Sequence, residues 1–418
     1  MNFFPRQSVF SNALRGFATF VAALLLCLPL RAAHIVGGEI TYRCIGTGRY
    51  LFTMKIYRDC FGGGADFDSG PNGAFPGTMT IYQGNSQTPL LTFEIAPPEI
   101  TNIEPNLSNP CLVAPPNVCV EEGVYTFELS LPVINDSYHI VYQRCCRNQT
   151  ITNIANPGNV GATYYMELTA LAQQVCNNSP TFNDFPPIVI CAGEDINFDH
   201  SATDPDGDQL VYEFCTPFVG GGPNEQNATA PGGVAPDPDL PPPYTSVPYI
   251  VPYSFNAPLG ANPPITISGN TGRINGVPNI VGQFVVGVCV KEFRNGELLS
   301  VVRRDFQFNV AECDPLVKAQ IEADEVVMQA GPDLYIVNAC GEANVFFDNT
   351  SFARQNIQSQ QWIFDFLSEP VTTFDATIDF PGLGTYDGML LLNPGLNCND
   401  TAFIRVNVFP GVTADFEV

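Results

Sequence analysis

The segment Asp204-Pro205-Asp206-Gly207-Asp208 is the part of the sequence best suited to binding a cation. Calcium in proteins takes roughly six to eight oxygen ligands, and carboxylates supply many of them. Closely spaced carboxylates repel one another unless a positive charge lies among them. Two more acids precede the segment and could join the ligand set. The candidate calcium ligands are therefore Asp204, Asp206, Asp208, Asp199 and Glu194.

The same loop also has a simpler interpretation. An EF-hand loop has glycine at its sixth position and glutamate at its twelfth. Counted from Asp204, those positions hold Gln209 and Cys215, so the loop is not an EF-hand. A turn rich in Asp and Gly can instead use its carboxylates to accept hydrogen bonds from backbone N–H groups. The sequence leaves the calcium site and the plain turn as open alternatives.

Nucleophilic catalysis is poorly supported by the sequence. Ile35-Val36-Gly37-Gly38 and Asp68-Ser69-Gly70-Pro71 resemble segments of trypsin-like proteases, whose serine needs a histidine base within reach. No histidine lies between positions 34 and 139, so we expect Ser69 to be a turn residue. With 42 acidic residues, a glycosidase-type carboxylate pair could be proposed almost anywhere and has no specificity. We therefore expect no catalytic residues.

Composition and charge narrow the class of partner. The chain has 418 residues, with 17 basic and 42 acidic side chains and a net charge of −25. Such an acidic chain is repelled by phosphate backbones and anionic lipids, so we expect no nucleic-acid partner. A hydrophobic content of 45% is enough to build cores, whereas a charged content of 14% is too low for a coiled coil.

Residues 1–32 have the pattern of a secretory signal peptide. Arg6 and Arg15 precede an apolar run from Phe17 to Leu28, and Ala32 offers a small residue for cleavage. The run is too short to cross a hydrocarbon core, which needs about 20 residues. No second long apolar run follows. We therefore expect an exported chain without a transmembrane segment in its mature part.

Thirteen of the fourteen cysteines follow the leader, and their pattern is typical of disulfides in an oxidising compartment. No Cys-x-x-Cys pair occurs, and three histidines are too few to complete zinc sites. Twelve cysteines are disulfide candidates: Cys44, Cys60, Cys111, Cys119, Cys145, Cys146, Cys176, Cys191, Cys215, Cys289, Cys340 and Cys398.

Geometry limits how these cysteines can pair. Residues 49–58 are predicted to form one strand, which places Cys44 and Cys60 about 30 Å apart at ~3.3 Å per residue. A disulfide spans at most ~7 Å between Cα atoms, so each needs a distant partner, and we expect Cys145 and Cys146. The remaining expected pairs are Cys111–Cys119, Cys176–Cys191, Cys215–Cys289 and Cys340–Cys398. Cys313 is left as a free thiol, an intermolecular bridge, or the partner of a cysteine beyond this chain.

Alternating apolar residues separated by Gly, Pro and Asn clusters predict an all-β fold of sandwiches or barrels. Strands are predicted at 50–57, 78–82, 91–95, 124–131, 138–142 and 164–168. We expect a disulfide-rich sandwich at 33–180, a second domain at 181–311, a third at 312–410, and the start of a further repeat at 411–418. Trp362 is expected in the core of the third domain.

A proline-rich insertion at 217–264 interrupts the second expected domain. It carries four aromatic residues that form a candidate partner surface: Tyr244, Tyr249, Tyr253 and Phe255. One interpretation is an exposed, extended loop that recruits a partner through these side chains. The favoured alternative is a long connection that packs on the sandwich and fills its grooves.

Several motifs resemble those of large surface proteins of the Bacteroidetes. These motifs are His34-Ile35-Val36-Gly37-Gly38-Glu39-Ile40, Tyr42-Arg43-Cys44, Lys55-Ile56-Tyr57-Arg58-Asp59-Cys60, Ser201-Ala202-Thr203-Asp204-Pro205-Asp206-Gly207-Asp208, Val277-Pro278-Asn279, Gly282-Gln283-Phe284 and Arg303-Arg304-Asp305-Phe306-Gln307-Phe308. The resemblance covers most of residues 34–311. It implies tandem immunoglobulin-like and polycystic-kidney-disease-type (PKD) repeats, commonly followed by a gliding-motility-associated or type IX secretion sorting domain. In cadherin-like repeats, which 181–311 resembles, such an aspartate loop often binds calcium.

The third domain is similar to a PKD repeat at Asn349-Thr350-Ser351 and Trp362-Ile363-Phe364, but Asp365-Phe366-Leu367 replaces the usual Gly-Asp-Gly. Together these features indicate a non-enzymatic, extracellular array of antiparallel β-sandwiches, stapled by disulfides. The resemblance implies attachment, gliding or extracellular structure, with a glycan, a protein surface or another copy as partner. The alternative is the presenting region of a larger secreted hydrolase or carbohydrate-binding protein.

Overall fold

The computed structural model describes residues 35–60, 66–68, 77–104, 107, 111–116, 118–221, 238–329 and 331–411. The expected signal peptide at 1–32 lies outside the described residues, as does all of the expected further repeat except Gly411.

Twenty-six strands and one short helix make up the described chain, which confirms the all-β prediction. Residues 35–214 contain β1 (Ile35–Gly46), β2 (Arg49–Asp59), β3 (Thr78–Gln83), β4 (Leu91–Glu94), β5 (Glu99–Ile103), β6 (Leu112–Val113), β7 (Val120–Ser130), β8 (Tyr138–Arg144), β9 (Ala162–Leu168), α1 (Ala170–Val175), β10 (Thr181–Phe182), β11 (Ile190–Cys191), β12 (Ile196–Asp199), β13 (Ala202–Thr203) and β14 (Gln209–Phe214). The remainder contains β15 (Thr266–Ile267), β16 (Arg273–Gly276), β17 (Gly282–Arg294), β18 (Glu297–Ala311), β19 (Asp314–Pro315), β20 (Glu325–Val327), β21 (Leu334–Cys340), β22 (Asn344–Phe347), β23 (Gln360–Phe364), β24 (Ala376–Asp379), β25 (Gly384–Leu392) and β26 (Asp400–Phe409). Single 3₁₀ turns lie at Pro157–Asn159 and Arg354–Asn356.

One large sheet runs through the first two expected domains, in the order β14-β17-β18-β1-β2-β7-β5, with β11 parallel to β18. A second sheet, β4-β3-β8-β9, packs against it. In β2, Tyr50, Phe52, Met54 and Ile56 are buried and alternate with less buried residues. This alternation directs one face of the strand to the core between the sheets.

The expected boundary near residue 180 does not divide the structure into two cores. β1 is hydrogen-bonded to β2 on one side and to β18 on the other, and one continuous hydrophobic cluster spans both expected domains. The Gly37-Gly38 pair explains the close approach, because a Cβ on Gly37 would lie 2.0 Å from the backbone oxygen of Asp305. Residues 35–311 therefore form one unit, and the pairing of the chain's first strand with its eighteenth was not predictable from local pattern.

The third expected domain does have its own core. A five-stranded sheet, in the order β20-β21-β26-β25-β23, faces the two-stranded sheet β22-β24. Within the larger sheet β21 and β26 are parallel, and the other neighbouring strands are antiparallel. Trp362 is fully buried there and donates its indole N–H to the backbone oxygen of Thr373 at 3.0 Å. This agrees with the core position expected for that residue.

A short contact joins the third expected domain, called the third unit from here on, to the 35–311 unit. β6 pairs with β19, and the amide of Leu316 donates to the backbone oxygen of Cys111 at 2.7 Å. The disulfide Cys111–Cys398 then links the two units covalently across 287 residues of sequence. Both units are thereby held at one junction.

The structure has six disulfides, and their pairing corrects most of the expected connectivity. Of the expected pairs only Cys215–Cys289 is present. The pairs are Cys44–Cys176, Cys60–Cys119, Cys111–Cys398, Cys145–Cys146, Cys191–Cys313 and Cys215–Cys289. Cys340, expected to pair with Cys398, is an exposed free thiol, and Cys313 is paired.

Strand pairing explains the corrections. Asp59 lies opposite Val120 in the β2–β7 ladder, which places Cys60 beside Cys119 rather than beside the cysteines after β8. Cys191 lies opposite Ala311 in the β11–β18 ladder, so that Cys313 comes within reach. Cys44 and Cys60 do lie at opposite ends of one hairpin and take distant partners, as expected.

Alkylation of the unreduced mature chain should therefore label one cysteine, Cys340, because the other twelve form disulfides. Intact-mass measurement under denaturing conditions would show a single adduct, and Cys340→Ser should show none. Two or more adducts on the wild-type chain would contradict the six pairs.

Within the part of the chain that the structure describes, no helix is both long enough and apolar enough to cross a membrane.

Candidate functional site

The aspartate loop between β13 and β14 is shaped by its first carboxylate. Asp204 Oδ1 accepts hydrogen bonds from the backbone amides of Asp206 at 3.0 Å and Asp208 at 2.8 Å. Gly207 has a φ of 80°, a left-handed conformation that glycine adopts without strain. The turn interpretation is therefore correct for one oxygen of Asp204, while its other oxygen, Oδ2, is buried without a hydrogen-bond partner.

Arg294, at the end of β17, neutralises part of the loop. Its guanidinium donates to both oxygens of Asp208, at 2.9 and 2.6 Å, and to Asp206 Oδ2 at 3.3 Å. The same side chain donates to Asn177 Oδ1 at 3.0 Å. Asp206 is further held by the backbone and side-chain amides of Asn178. Because Arg294 already supplies a positive charge to Asp206 and Asp208, a cation would gain less from either carboxylate than from one without a cationic partner.

Glu292 is the acidic residue that the sequence did not suggest. It is fully buried on β17, opposite Leu210 of β14. Its Oε2 accepts hydrogen bonds from Ser300 Oγ at 2.5 Å and Asn177 Nδ2 at 2.9 Å, and its carboxyl group is also hydrogen-bonded to that of Asp208. The pairing of β14 with β17, which brings Glu292 next to the aspartate loop, is the signal that could have found it.

Among the described residues, one cluster of three acids has oxygens within 4.8 Å of one another: Asp204, Asp208 and Glu292. Two of these are expected calcium ligands. Asp206 instead contacts Arg294 and Asn178, and Asp199 contacts Arg273 at 3.7 Å and accepts a hydrogen bond from the amide of Ser201. Glu194 lies beside Cys191 at a separate small cavity. Asp204, Asp208 and Glu292 are therefore the residues that could hold a cation, and Asp204 Oδ2 is buried there without a hydrogen-bond partner.

Burial raises the pKa of the Glu292 carboxyl to about 8. The hydrogen bond and charge of Arg294 lower the pKa of Asp208. Near neutral pH Glu292 is therefore protonated. Its proton removes one negative charge from the cluster, a charge that a bound cation would otherwise neutralise.

The raised pKa of Glu292 makes folding stability depend on pH. Between about pH 4.5 and pH 8 the folded chain keeps on Glu292 a proton that the unfolded chain releases, so the contribution of Glu292 to the free energy of unfolding falls as pH rises through this window. The loss approaches about 1.4 kcal/mol per pH unit. Urea unfolding in chelator at pH 5, 6, 7 and 8 should show the free energy of unfolding of the wild-type chain falling more steeply with pH than that of Glu292→Gln, by up to about 1.4 kcal/mol per pH unit. The two buried histidines act in the opposite sense at the acidic end of this range, but they are the same in both proteins. Equal slopes for the two proteins would show that Glu292 does not carry the proton.

The aromatic residues of the proline-rich stretch are mostly packed. Tyr244 contacts the rings of Tyr165 and Phe218, Tyr249 packs in a small cluster with Val247, and Tyr253 lies against Phe284. Phe255 differs, because it is 42% exposed and lines an open groove of about 710 Å³ beside β14. Three of the four side chains thus fill grooves of the unit itself, and a partner role stays a prediction for Phe255.

The residues considered for catalysis are placed as follows. Ser69 and His34 lie outside the described residues. His139 Nδ1 lies 2.7 Å from the Tyr165 hydroxyl, and His200 is buried among Phe182, Phe198 and Phe306. Burial lowers the pKa of both histidines, so both are neutral at pH 7.

Comparison with known proteins does not place the chain in a family. No protein-family model matches it, and no curated protein matches it. Among solved structures, extracellular cadherin domains 3–6 of protocadherin gamma B2 are similar over 88% of this chain and 84% of that chain, at 8% identity and a TM-score of 0.22. Dimeric latent PorU from Porphyromonas gingivalis is similar over 90% of this chain and 34% of that chain, at 11% identity and a TM-score of 0.15. At such TM-scores neither neighbour assigns a fold family or an activity to this chain.

Proposed function

We propose that the chain is an extracellular, non-enzymatic β-sandwich protein that serves attachment or surface assembly, including gliding in a bacterial host. The observation that carries the proposal is the set of six disulfides, one of which joins two separately cored units. Such cross-links persist in oxidising compartments. They limit how far the chain can unfold under force or protease attack, because they constrain the unfolded ensemble.

The charge of the molecule supports the same proposal. A net charge of −25 disfavours nucleic acid and anionic lipid as partners and leaves glycans, proteins and other copies of the chain. The family resemblance of residues 34–311 adds the expectation of a bacterial cell surface.

Beads coated with the disulfide-intact mature chain should bind under shear flow, either to cells of the bacterium that makes the protein or to one another. Beads coated with reduced and alkylated chain should not bind. Turnover of peptide, ester or glycoside reporter substrates by the purified chain, above that of a heat-denatured sample, would contradict the proposal and favour a hydrolase.

We also propose that calcium binds the cluster of Asp204, Asp208 and Glu292 and stiffens the aspartate loop. The support is the convergence of the three carboxyl groups, with oxygens within 4.8 Å of one another, and the buried Asp204 Oδ2, which has no hydrogen-bond partner. Calcium supplies a charge that lets Glu292 give up its proton, while Arg294 keeps Asp206 and Asp208 in place.

Thermal melting at pH 7.5 should give a higher midpoint in calcium than in chelator. A ligand at 100 times its Kd stabilises by about 2.7 kcal/mol, and 1 kcal/mol corresponds to roughly 2–4 °C for a unit of this size. Glu292→Gln should remove the difference, whereas Asp199→Asn, outside the cluster, should keep it. An unchanged wild-type midpoint would leave the carboxylates as turn residues.

A further inference from the structure

The outer face of the five-stranded sheet in the third unit carries a continuous apolar row. The inner face, with Tyr335, Trp362 and Ile404, is buried against β22 and β24. Residues that alternate with these along each strand point to the opposite face. Strand register aligns one apolar residue from each of the five strands: Val327, Leu334, Phe403, Met389 and Ile363.

This row is accessible to solvent. Phe403 at its centre is 38% exposed and Val327 at its edge is 37% exposed. Leu334, Met389 and Ile363 are partly exposed. An apolar row that crosses a whole sheet differs from isolated surface hydrophobics, and such patches mark interaction surfaces.

The polar residues beside the row carry little net charge. Arg405 is paired with Asp387 at 2.7 Å, and Asn407 donates to Asn338 and accepts from Thr385, both at 3.0 Å. Among the outward-facing residues of the five strands, Glu325 is the only other charged residue. In a chain with a net charge of −25, this is a face on which two copies can meet without strong like-charge repulsion.

The size of the face fits a weak dimer. The five strands contain 3, 7, 10, 9 and 5 residues. At ~4.8 Å between strands and ~3.3 Å per residue, they cover roughly 540 Å². Stable complexes bury about 800 Å² on each partner, and weak ones bury less. A symmetric pair of identical faces is also the commonest form of association between identical chains.

We propose that a second copy of this chain docks on this face, with the row centred on Phe403 packing against its counterpart. The inference deepens the proposed function, since it names one partner for surface assembly. It does not depend on calcium or on the absence of catalysis.

Sedimentation equilibrium of the disulfide-intact chain in reducing-agent-free buffer, with Cys340 blocked, should show a reversible monomer–dimer equilibrium. Phe403→Glu should weaken dimerisation at least tenfold, because it places a charge in the contact of two acidic copies. Phe346→Glu is the matched control: Phe346 is 64% exposed on β22, in the other sheet of the unit, and its replacement should leave the equilibrium unchanged.

Cys340 provides an independent readout, because it is an exposed free thiol on the same outer face, at the end of β21. A nitroxide label at Cys340 should show dipolar coupling between copies that grows with protein concentration and disappears in Phe403→Glu. A chain that stays monomeric at all concentrations, or a dimer unaffected by Phe403→Glu, would overturn the proposal. Neither result would decide the proposed attachment function, which the bead-adhesion and substrate-turnover experiments test separately.

Discussion

Replacement of Arg147 by methionine should lower the free energy of unfolding of the 35–311 unit by about 3–5 kcal/mol. Arg147 follows β8 and is 1% exposed. Its guanidinium donates to Asp305 Oδ1 on β18 at 3.0 Å, and to the backbone oxygens of Phe218 at 3.2 Å and Gly161 at 3.3 Å. Methionine keeps the apolar stem but leaves the buried Asp305 carboxylate without the cation that is hydrogen-bonded to it.

The exposed pair Arg405–Asp387 offers a matched control for this substitution. Its side chains are 44% and 64% exposed, and solvent-exposed ion pairs contribute little to stability. Arg405→Met should therefore change urea unfolding little. The double variant Arg147→Met/Asp305→Leu should recover part of the loss, because it removes the unpaired charge as well. A loss below about 1 kcal/mol for Arg147→Met would show that this pair does not hold the unit together.

Removal of the Cys111–Cys398 disulfide should uncouple the third unit from the first. Among the described residues, the double variant Cys111→Ser/Cys398→Ser keeps the β6–β19 pairing and the hydrogen bond from the Leu316 amide to the backbone oxygen of residue 111 at the junction. Disulfides of long span typically contribute about 2–5 kcal/mol. Calorimetry should therefore show the third unit melting separately and at lower temperature. Limited proteolysis should release a fragment that begins after Cys313, because Cys313 itself stays bonded to Cys191 of the 35–311 unit.

Cys340→Ser is the control for this variant, since it makes the same chemical change at a cysteine without a partner. It should melt like the wild-type chain. If the double serine variant also melts unchanged and resists cleavage, the junction is held by other contacts and the disulfide adds nothing to it.

Local pattern predicted the strands well and their partners poorly. The alternation of Tyr50, Phe52, Met54 and Ile56 was sufficient to place β2, because a strand with one buried face has a period of two. The union of β1 with β18 was missed, since that pairing joins residues far apart in sequence and has no local signal. The predicted division at residue 180 failed for that reason.

The candidate site shows the same division between local and long-range information. Asp204 and Asp208 were identified because aspartates clustered with glycine are visible in the sequence. Glu292 and Arg294 were missed, although they decide the charge balance of the loop, because only the β14–β17 register brings them there. Disulfide pairing failed likewise, except for Cys215–Cys289, whose cysteines lie in or beside that same strand pair.

Peptide mapping of the mature chain, isolated from its natural host without reduction, is the most direct test of an extracellular cross-linked scaffold. Digestion in the presence of an alkylating agent should yield the linked peptides of Cys111 with Cys398, Cys44 with Cys176 and Cys60 with Cys119, and one alkylated peptide containing Cys340. Recovery of these cysteines as separate, alkylated peptides would show a reduced chain and contradict the account.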